Sequence, residues 1–273
     1  MTRLDSLFRR DRKIFVAYLC VGDPSVEESL ELAKACIAAG ADVIELGVPF
    51  SDPTADGPAI ERASQRAIAA GGGLVATLRV AKALRAAYPN VGIVLFGYYN
   101  PLFVYGDERA VQEAAAAGVD ALLVVDLPPE EAEPLRSLAA ARGVGVVPLL
   151  APTSRDARIA LVKAAAQKAP IPFAYYVSMT GVTGRDGVDA EEAGKRAASL
   201  RATLGLPVVV GFGIDSREKA HAASGAGGRA DGVAVGSALV RAIEQGPTPQ
   251  ARKEAVERIV RDLVAGLGSS PLP

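Results

Sequence analysis

Two kinds of segment alternate along this chain from one end to the other. Apolar runs occupy residues 14–19, 43–46, 91–96, 119–125, 144–150, 173–178, 207–211 and 232–236. Each is continuously apolar rather than apolar at every second position, the pattern of a parallel strand covered on both faces. Ala-rich amphipathic stretches lie between them and read as helices. Asp23-Pro24-Ser25 opens one that closes at Gly40, Thr153-Ser154 opens another, and Asp215-Ser216 caps the helix after the seventh strand. About eight strand–helix units with no linker between halves predict an α/β fold of the (β/α)8, or TIM-barrel, type. A helix over residues 2–10 is expected to plug the bottom of the barrel. Two helical stretches, 59–70 and 74–88, follow the second strand, so one of them is an insertion. Residues 1–268 form one domain in this reading, and 269–273 a frayed tail. The competing architecture, an open doubly wound sheet, calls for a Gly-rich fingerprint after strand one, where Cys20-Val21-Gly22-Asp23-Pro24 stands instead.

Composition narrows the chemistry. The 273 residues carry 30 basic and 31 acidic side chains for a net charge of -1, and neither sign clusters, which argues against a nucleic-acid or anionic-membrane surface. Cys20 and Cys36 form no CxxC pair, which suits a reducing, cytoplasmic setting. The first ten residues lack a signal-peptide apolar core, and no stretch approaches the roughly 20 apolar residues that span a bilayer. A soluble protein is expected. The single histidine, His221, falls in a helix that reads as surface. With that imidazole read as surface and no other in the chain, Ser-His-Asp and Cys-His catalysis are excluded and no His-built metal site is expected. Acid–base work is left to carboxylates, Tyr or Lys.

One carboxylate stands out. Glu45 interrupts the run Val43-Ile44-Glu45-Leu46-Gly47-Val48-Pro49-Phe50, which opens into the turn-rich Ser51-Asp52-Pro53-Thr54-Ala55-Asp56-Gly57-Pro58. A carboxylate on such a strand is costly to desolvate, so its pKa rises and it can hold a proton near neutral pH, as a general acid must. A structural alternative is an interior Glu paired with a cation or with backbone amides. In barrels of this type reacting groups sit at the carboxyl ends of strands, where Glu45, Asp56 and Tyr175 could share one mouth. Glycines mark three further strand ends, in Gly181-Val182-Thr183-Gly184, Gly211-Phe212-Gly213 and Gly236-Ser237-Ala238. Exposed backbone N–H groups there, with a helix starting near Ser237, would hold a phosphate without a cationic side chain.

These blocks together resemble the α subunit of tryptophan synthase over almost the whole chain. The long Glu45-to-Pro58 block is the specific one, and Gly22-Asp23-Pro24 and the three glycine blocks join it. The resemblance implies retro-aldol cleavage of indole-3-glycerol phosphate to indole and glyceraldehyde 3-phosphate, with no cofactor or metal in this chain. It also implies a β subunit that uses pyridoxal phosphate (PLP), in an α2β2 assembly. By motif, Glu45 matches the general acid/base and Asp56 the carboxylate facing the indole N–H. Tyr175, Tyr18, Phe96, Tyr98, Thr183 and Phe212 match substrate-lining positions, and Gly184, Gly213, Gly236 and Ser237 phosphate-binding ones. Chemically, the two carboxylates suit opposed environments, one protonated and one ionised.

The chain departs from the family pattern at Ala17, Thr54 and Met179-Thr180. Thr54 lies in a loop the family turns toward its β subunit, as do Pro53, Asn100 and Pro128, although Asn100-Pro101 and Asp126-Leu127-Pro128-Pro129 also fit ordinary turns. The Gly-rich segment 180–189 suits a lid in which Thr183 meets Asp56 on closure. Two other functions compete with the lyase subunit: a stand-alone indole-releasing lyase, and a regulatory barrel that binds phosphate ligands.

Overall fold

The computed structural model describes residues 2–9, 12–177, 189–211, 213–225 and 229–268. Its strands are β1 (Ile14–Cys20), β2 (Val43–Gly47), β3 (Gly92–Gly97), β4 (Ala121–Val124), β5 (Gly145–Val146), β6 (Leu149–Leu150), β7 (Ala174–Val177), β8 (Val208–Gly211) and β9 (Gly232–Val235). All pair in parallel, in the order β5-β4-β3-β2-β1-β9-β8-β7-β6. β5 and β6 are two halves of the run expected as one strand. The first half pairs with β4 and the second with β7, so the sheet closes into an eight-position barrel. The break falls at Pro148, which has no N–H for a ladder. The joint is still held on both sides: Val147 N–H donates to the Leu122 carbonyl at 2.8 Å, and Tyr175 N–H to the Pro148 carbonyl at 2.9 Å.

The helices are α1 (Arg3–Phe8), α2 (Val26–Ala38), α3 (Pro58–Ala69), α4 (Leu74–Ala87), α5 (Tyr99–Tyr105), α6 (Asp107–Ala116), α7 (Glu133–Ala140), α8 (Asp156–Ala166), α9 (Ala190–Leu204), α10 (Arg217–Ser224), α11 (Ser237–Gln245) and α12 (Pro249–Gly266). Ser25 and Ser216 cap α2 and α10 as expected. Two sequence expectations are corrected. Asn100 and Pro101 lie inside α5 rather than in a turn, because proline is tolerated in the first turn of a helix, where its missing N–H has no partner to lose. Ser154 does not open α8: its hydroxyl accepts from Ala151 N–H at 3.0 Å, and Arg155 takes the cap position. The short polar side chain bonds the local turn instead of the helix.

Side chains alternate between barrel interior and helix layer along every strand. Val16, Tyr18, Val43, Val94, Phe96, Leu123, Phe173, Tyr175 and Val209 fill the interior. Phe15, Ala17, Leu19, Ile44, Leu46, Ile93, Leu95 and Leu122 face the helices. Helix α1, closed by a capping box from Thr2 and Asp5, plugs the amino end with Leu4 and Leu7. Gly92 makes room for it, since a Cβ there would come within 2.7 Å of Leu4 Cδ2.

The amino end of the barrel carries a repeated fastening. Asp42, Asp120 and Asp231 stand just before β2, β4 and β9. Their carboxylates accept from Phe15 N–H at 3.0 Å, Ile93 N–H at 2.8 Å and Val208 N–H at 2.9 Å. Each aspartate N–H returns a bond to the carbonyl of that same residue. An arginine neutralises each carboxylate: Arg12 for Asp42, Arg85 and Arg3 for Asp120, and Arg201 for Asp231. Neighbouring strands are thus locked in register at their starts. Asp120→Ala would leave Arg85, 13% exposed, without its carboxylate, and should lower stability by about 3–5 kcal/mol. Urea unfolding reads this directly, and a parental midpoint would show that the strand pairs hold register unaided.

Candidate active site

Glu45 is the middle residue of β2, where alternation with Ile44 and Leu46 turns its side chain into the barrel. In register it lies between Tyr18 of β1 and Val94 of β3. It is 1% exposed, and its Oε1 has no hydrogen-bond partner. Burial alone pushes its carboxyl up to about 8. Among the described residues no cation or backbone amide pairs with it to make it a structural residue. The phenols of Tyr18 and Tyr175 lie close enough to feel its charge, and burial holds both well above the ordinary tyrosine value. They remain protonated across the physiological range and carry no charge of their own.

Asp56 sits in the loop between β2 and α3, 9% exposed. Burial raises it to about 6, and Glu61 adds to the rise, while a hydrogen bond from Tyr98 pulls it back. The Tyr98 hydroxyl is fixed from its other side, accepting Ala55 N–H at 3.0 Å, and its ring packs 5.3 Å from Phe50. The two carboxylates therefore do not sit in opposed environments, as the sequence suggested. Desolvation lifts both, and Tyr98 separates them. At neutral pH Glu45 is mostly protonated and Asp56 mostly ionised.

The aromatic lining is continuous with these groups. Tyr18 meets Phe96 edge-on, centroids 5.1 Å apart at 73°. Tyr18 also feels the charges of Glu45, Asp56 and Tyr98, so these residues lie near one another at the carboxyl end of the strands. Its ring fits because Gly47 and Gly236 lack side chains: a Cβ would stand 2.5 Å from the hydroxyl at Gly47 and 3.1 Å from the ring at Gly236. Gly211 likewise leaves space for the Tyr175 ring. Some strand-end glycines read as anion-binding positions therefore also house tyrosines, and Gly47 and Phe50 were not singled out from the sequence at all. Their only sequence signal was membership of the Glu45 run.

On the other side of the mouth, α11 starts at Gly236 with no side-chain cap. Its first internal bond runs from Val240 N–H to the Gly236 carbonyl at 3.0 Å. The N–H groups of Ser237 and the next two residues have no intrahelical acceptor, the usual state of a helix start. Gly213, half-buried at φ 73°, lies in the loop after β8. Both are suited to an oxyanion. Thr183, Gly184 and Phe212, with Met179 and Thr180, lie outside the described residues. Among the described residues no three His, Cys, Asp or Glu side chains gather as a metal site. His221 is exposed on α10, its Nδ1 3.2 Å from the Gly266 carbonyl.

A closed parallel barrel with a protonated carboxyl, an ionised carboxylate and aromatic walls at its carboxyl mouth defines a class, the (β/α)8 enzymes that work by carboxylate acid–base chemistry. The comparisons make it specific. The tryptophan synthase alpha chain family profile matches residues 4–265. A Xylella fastidiosa tryptophan synthase alpha chain is 47% identical over 251 residues, 90% of this chain and 91% of that one. A solved tryptophan synthase subunit alpha from Legionella pneumophila superposes with a TM-score of 0.86 at 31% identity, covering 98% and 99% of the two chains. A Mycobacterium tuberculosis tryptophan synthase chain gives 0.82 at 31% identity, covering 98% and 97%. The chain belongs to the tryptophan synthase alpha chain family. It is a lyase that cleaves indole-3-glycerol phosphate, and the family implies a β-subunit partner.

Removing the Tyr98 hydroxyl removes the bond that favours ionised Asp56. In Tyr98→Phe the Asp56 carboxyl should therefore titrate above about 6. Carbon-13 NMR of the labelled carboxyl follows this, and an unmoved midpoint would dismiss Tyr98 as the group that sets it.

Proposed function

We propose that Glu45 is the general acid and base of the cleavage and Asp56 the carboxylate that holds the indole N–H. The observation that carries this is Glu45: a carboxyl inside the barrel whose Oε1 has no partner among the described residues, pushed up to about 8 by burial. Protonated Glu45 gives its proton to indole C3, which becomes tetrahedral while positive charge builds on the ring nitrogen. Ionised Asp56 accepts the N–H and stabilises that charge more in the transition state than in the ground state. The bond from C3 to the glycerol carbon then breaks and its electrons return to the ring. The hydroxyl on that carbon becomes the aldehyde, its proton passing to Glu45, which ends protonated as it began. Tyr18, Phe96, Tyr98 and Tyr175 line the indole end. Gly213, Gly236 and Ser237 take the phosphate through backbone N–H groups. By resemblance Gly184 joins them, with Phe212 and Thr183 beside the substrate.

The partner in this reading is a PLP-dependent β subunit, in an α2β2 assembly in the cytoplasm. Two buried free thiols, Cys20 and Cys36, support a reducing compartment, and no single helix among the described residues is long and apolar enough to cross a membrane. On α5, Phe103 and Val104 are 65% and 76% exposed. Two bonds tie that helix to neighbouring loops, Ala55 N–H to the Tyr98 hydroxyl and Tyr99 N–H to Asp126 Oδ1 at 2.7 Å. Thr54, Pro53, Asn100 and Pro128 thus belong to one connected rim, with the apolar pair as its natural anchor.

Glu45→Gln tests the chemistry twice over. Cleavage should fall by about 10²–10⁴-fold. Stability should move the other way. A carboxyl at about 8 in the fold and at its ordinary value of 4.5 when unfolded costs nothing below the lower value. The folded state loses ground as pH climbs between the two values and no further above the higher one. The glutamine removes that loss, and at pH 7 the variant should be about 3 kcal/mol more stable. Parental cleavage would end the acid–base assignment, and parental stability at pH 7 would end the desolvation argument. For the partner, Phe103→Ala should raise the Kd for the β subunit roughly tenfold with the fold intact by circular dichroism. Unchanged affinity would place the docking surface elsewhere.

A further inference from the structure

The two ends of the proposed site are carried by different helices. Asp56 lies just ahead of α3, which begins at Pro58, and the phosphate-facing N–H groups begin α11 at Ser237. A chain of four charged side chains joins these helices and the first loop of the barrel. Arg66 of α3 forks onto Asp23, with Nε to Oδ1 and Nη2 to Oδ2 both at 2.9 Å. Its remaining nitrogen, Nη1, reaches Glu244 Oε1 on α11 at 2.8 Å. Arg62, one turn earlier on α3, grips both oxygens of Glu244, again at 2.8 Å. Asp23 is 2% exposed, and Glu244 is held at about 2 by the two arginines.

Backbone contacts fix the same junction. Asp23 stands in the loop from β1 to α2, whose Val21 N–H donates to the Gly47 carbonyl at 2.9 Å. A Cβ at Gly22, φ 108°, would lie 2.9 Å from the Ala67 carbonyl of α3, so the loop rests directly on the helix. Arg66 touches all three parts: the loop after β1 through Asp23, the helix that follows Asp56, and the helix that starts at Ser237. A planar guanidinium with five donors in a fixed fork can bond two carboxylates in set directions, which a lysine ammonium cannot.

We propose that Arg66 is a positioning residue which, held by Asp23 and Glu244, sets the separation between the Asp56 loop and the amino end of α11. It therefore fixes how far apart the indole and phosphate ends of one substrate are gripped. This rests on the assignment of those ends made above. Its signature is specific to a joined ligand. Each half-ligand can follow its own helix, whereas a substrate spanning both loses rate when the grips shift, a misplacement of about 1 Å being enough for about a hundredfold.

The experiment uses the full chain with its β subunit and three readouts: binding of indole, binding of inorganic phosphate, and kcat/KM for indole-3-glycerol phosphate. Arg66→Met should bind both half-ligands as the parent does and lose about 10- to 100-fold in kcat/KM. Arg66→Lys should not restore it. Because Arg66→Met leaves Asp23 buried without its partner and could fail to fold, Glu244→Gln serves as a second variant. It keeps the Asp23 fork and weakens only the α3–α11 link, and it should show the same pattern at smaller amplitude. Parental kcat/KM in Glu244→Gln, or half-ligands weakened as much as the joined substrate, would overturn the proposal. Asp56→Asn is measured alongside: if it binds indole as tightly as the parent, the Asp56 assignment fails, separately from the role of Arg66.

Discussion

The arrangement depends on one unfavourable interaction, a carboxyl group shut into an apolar barrel with no partner for one of its oxygens. Everything that suits Glu45 to its proposed role follows from its lack of water. In solvent it would ionise near 4.5 and have no proton to give at pH 7. Inside the barrel it rises to about 8. A cation beside it would undo this by favouring the charged form. A phosphorylated substrate is therefore best gripped without basic side chains nearby. Glycine N–H groups and the start of α11 offer partial charges that are fixed in direction and fall off quickly, which leaves Glu45 protonated.

Asp56 poses the complementary problem. It is nearly as buried, so desolvation alone would carry it toward Glu45, and two protonated carboxyls could not stabilise a positive ring nitrogen. Tyr98 resolves this with one hydroxyl that donates to Asp56 and is fixed in place by Ala55 N–H. Tyr98 is also the cap residue of α5, the helix that exposes Phe103 and Val104. A partner that seats on α5 is therefore one hydroxyl away from the carboxylate proposed to hold the indole N–H. The proposed docking face and the chemistry share a side chain, so no long relay is needed for one to influence the other.

The strands were legible because parallel strands buried on both faces leave continuous apolar runs, and Glu45 was legible as the charged residue interrupting one. Asp56 was legible as a carboxylate in the turn that the same strand feeds. What failed were local signals with two physical uses. Pro101 reads equally as a turn residue or as part of a helix's first turn, and Ser154 as a helix cap or as a turn hydroxyl. The strand-end glycines were read for what they expose, whereas Gly211 and Gly236 also act by what they omit, a Cβ where a tyrosine ring must lie. Hardest to see were pairings between distant positions. Arg66 finds Asp23 across 43 residues and Glu244 across 178, and nothing in the spacing of these residues along the chain announces that they meet.

The two ends of the barrel divide the tasks by the same chemistry used in opposite ways. At the amino end the buried Asp42 and Asp120 and the half-buried Asp231 are given everything a charge needs, an arginine and a backbone N–H each. There they fix strand register. At the carboxyl end Glu45 is buried to a similar degree and denied those partners. Burial alone thus says little about what a carboxylate does; the identity of its neighbours decides. A fold that must keep one acidic group destabilised near neutral pH requires the rest of the sheet to be over-determined, since the strain at β2 would otherwise relax by letting water in or the strand slip. A slip of one residue would turn Glu45 outward and Ile44 or Leu46 inward. The Asp42 fastening sits three residues before Glu45, just ahead of that strand, where it opposes such a slip most directly.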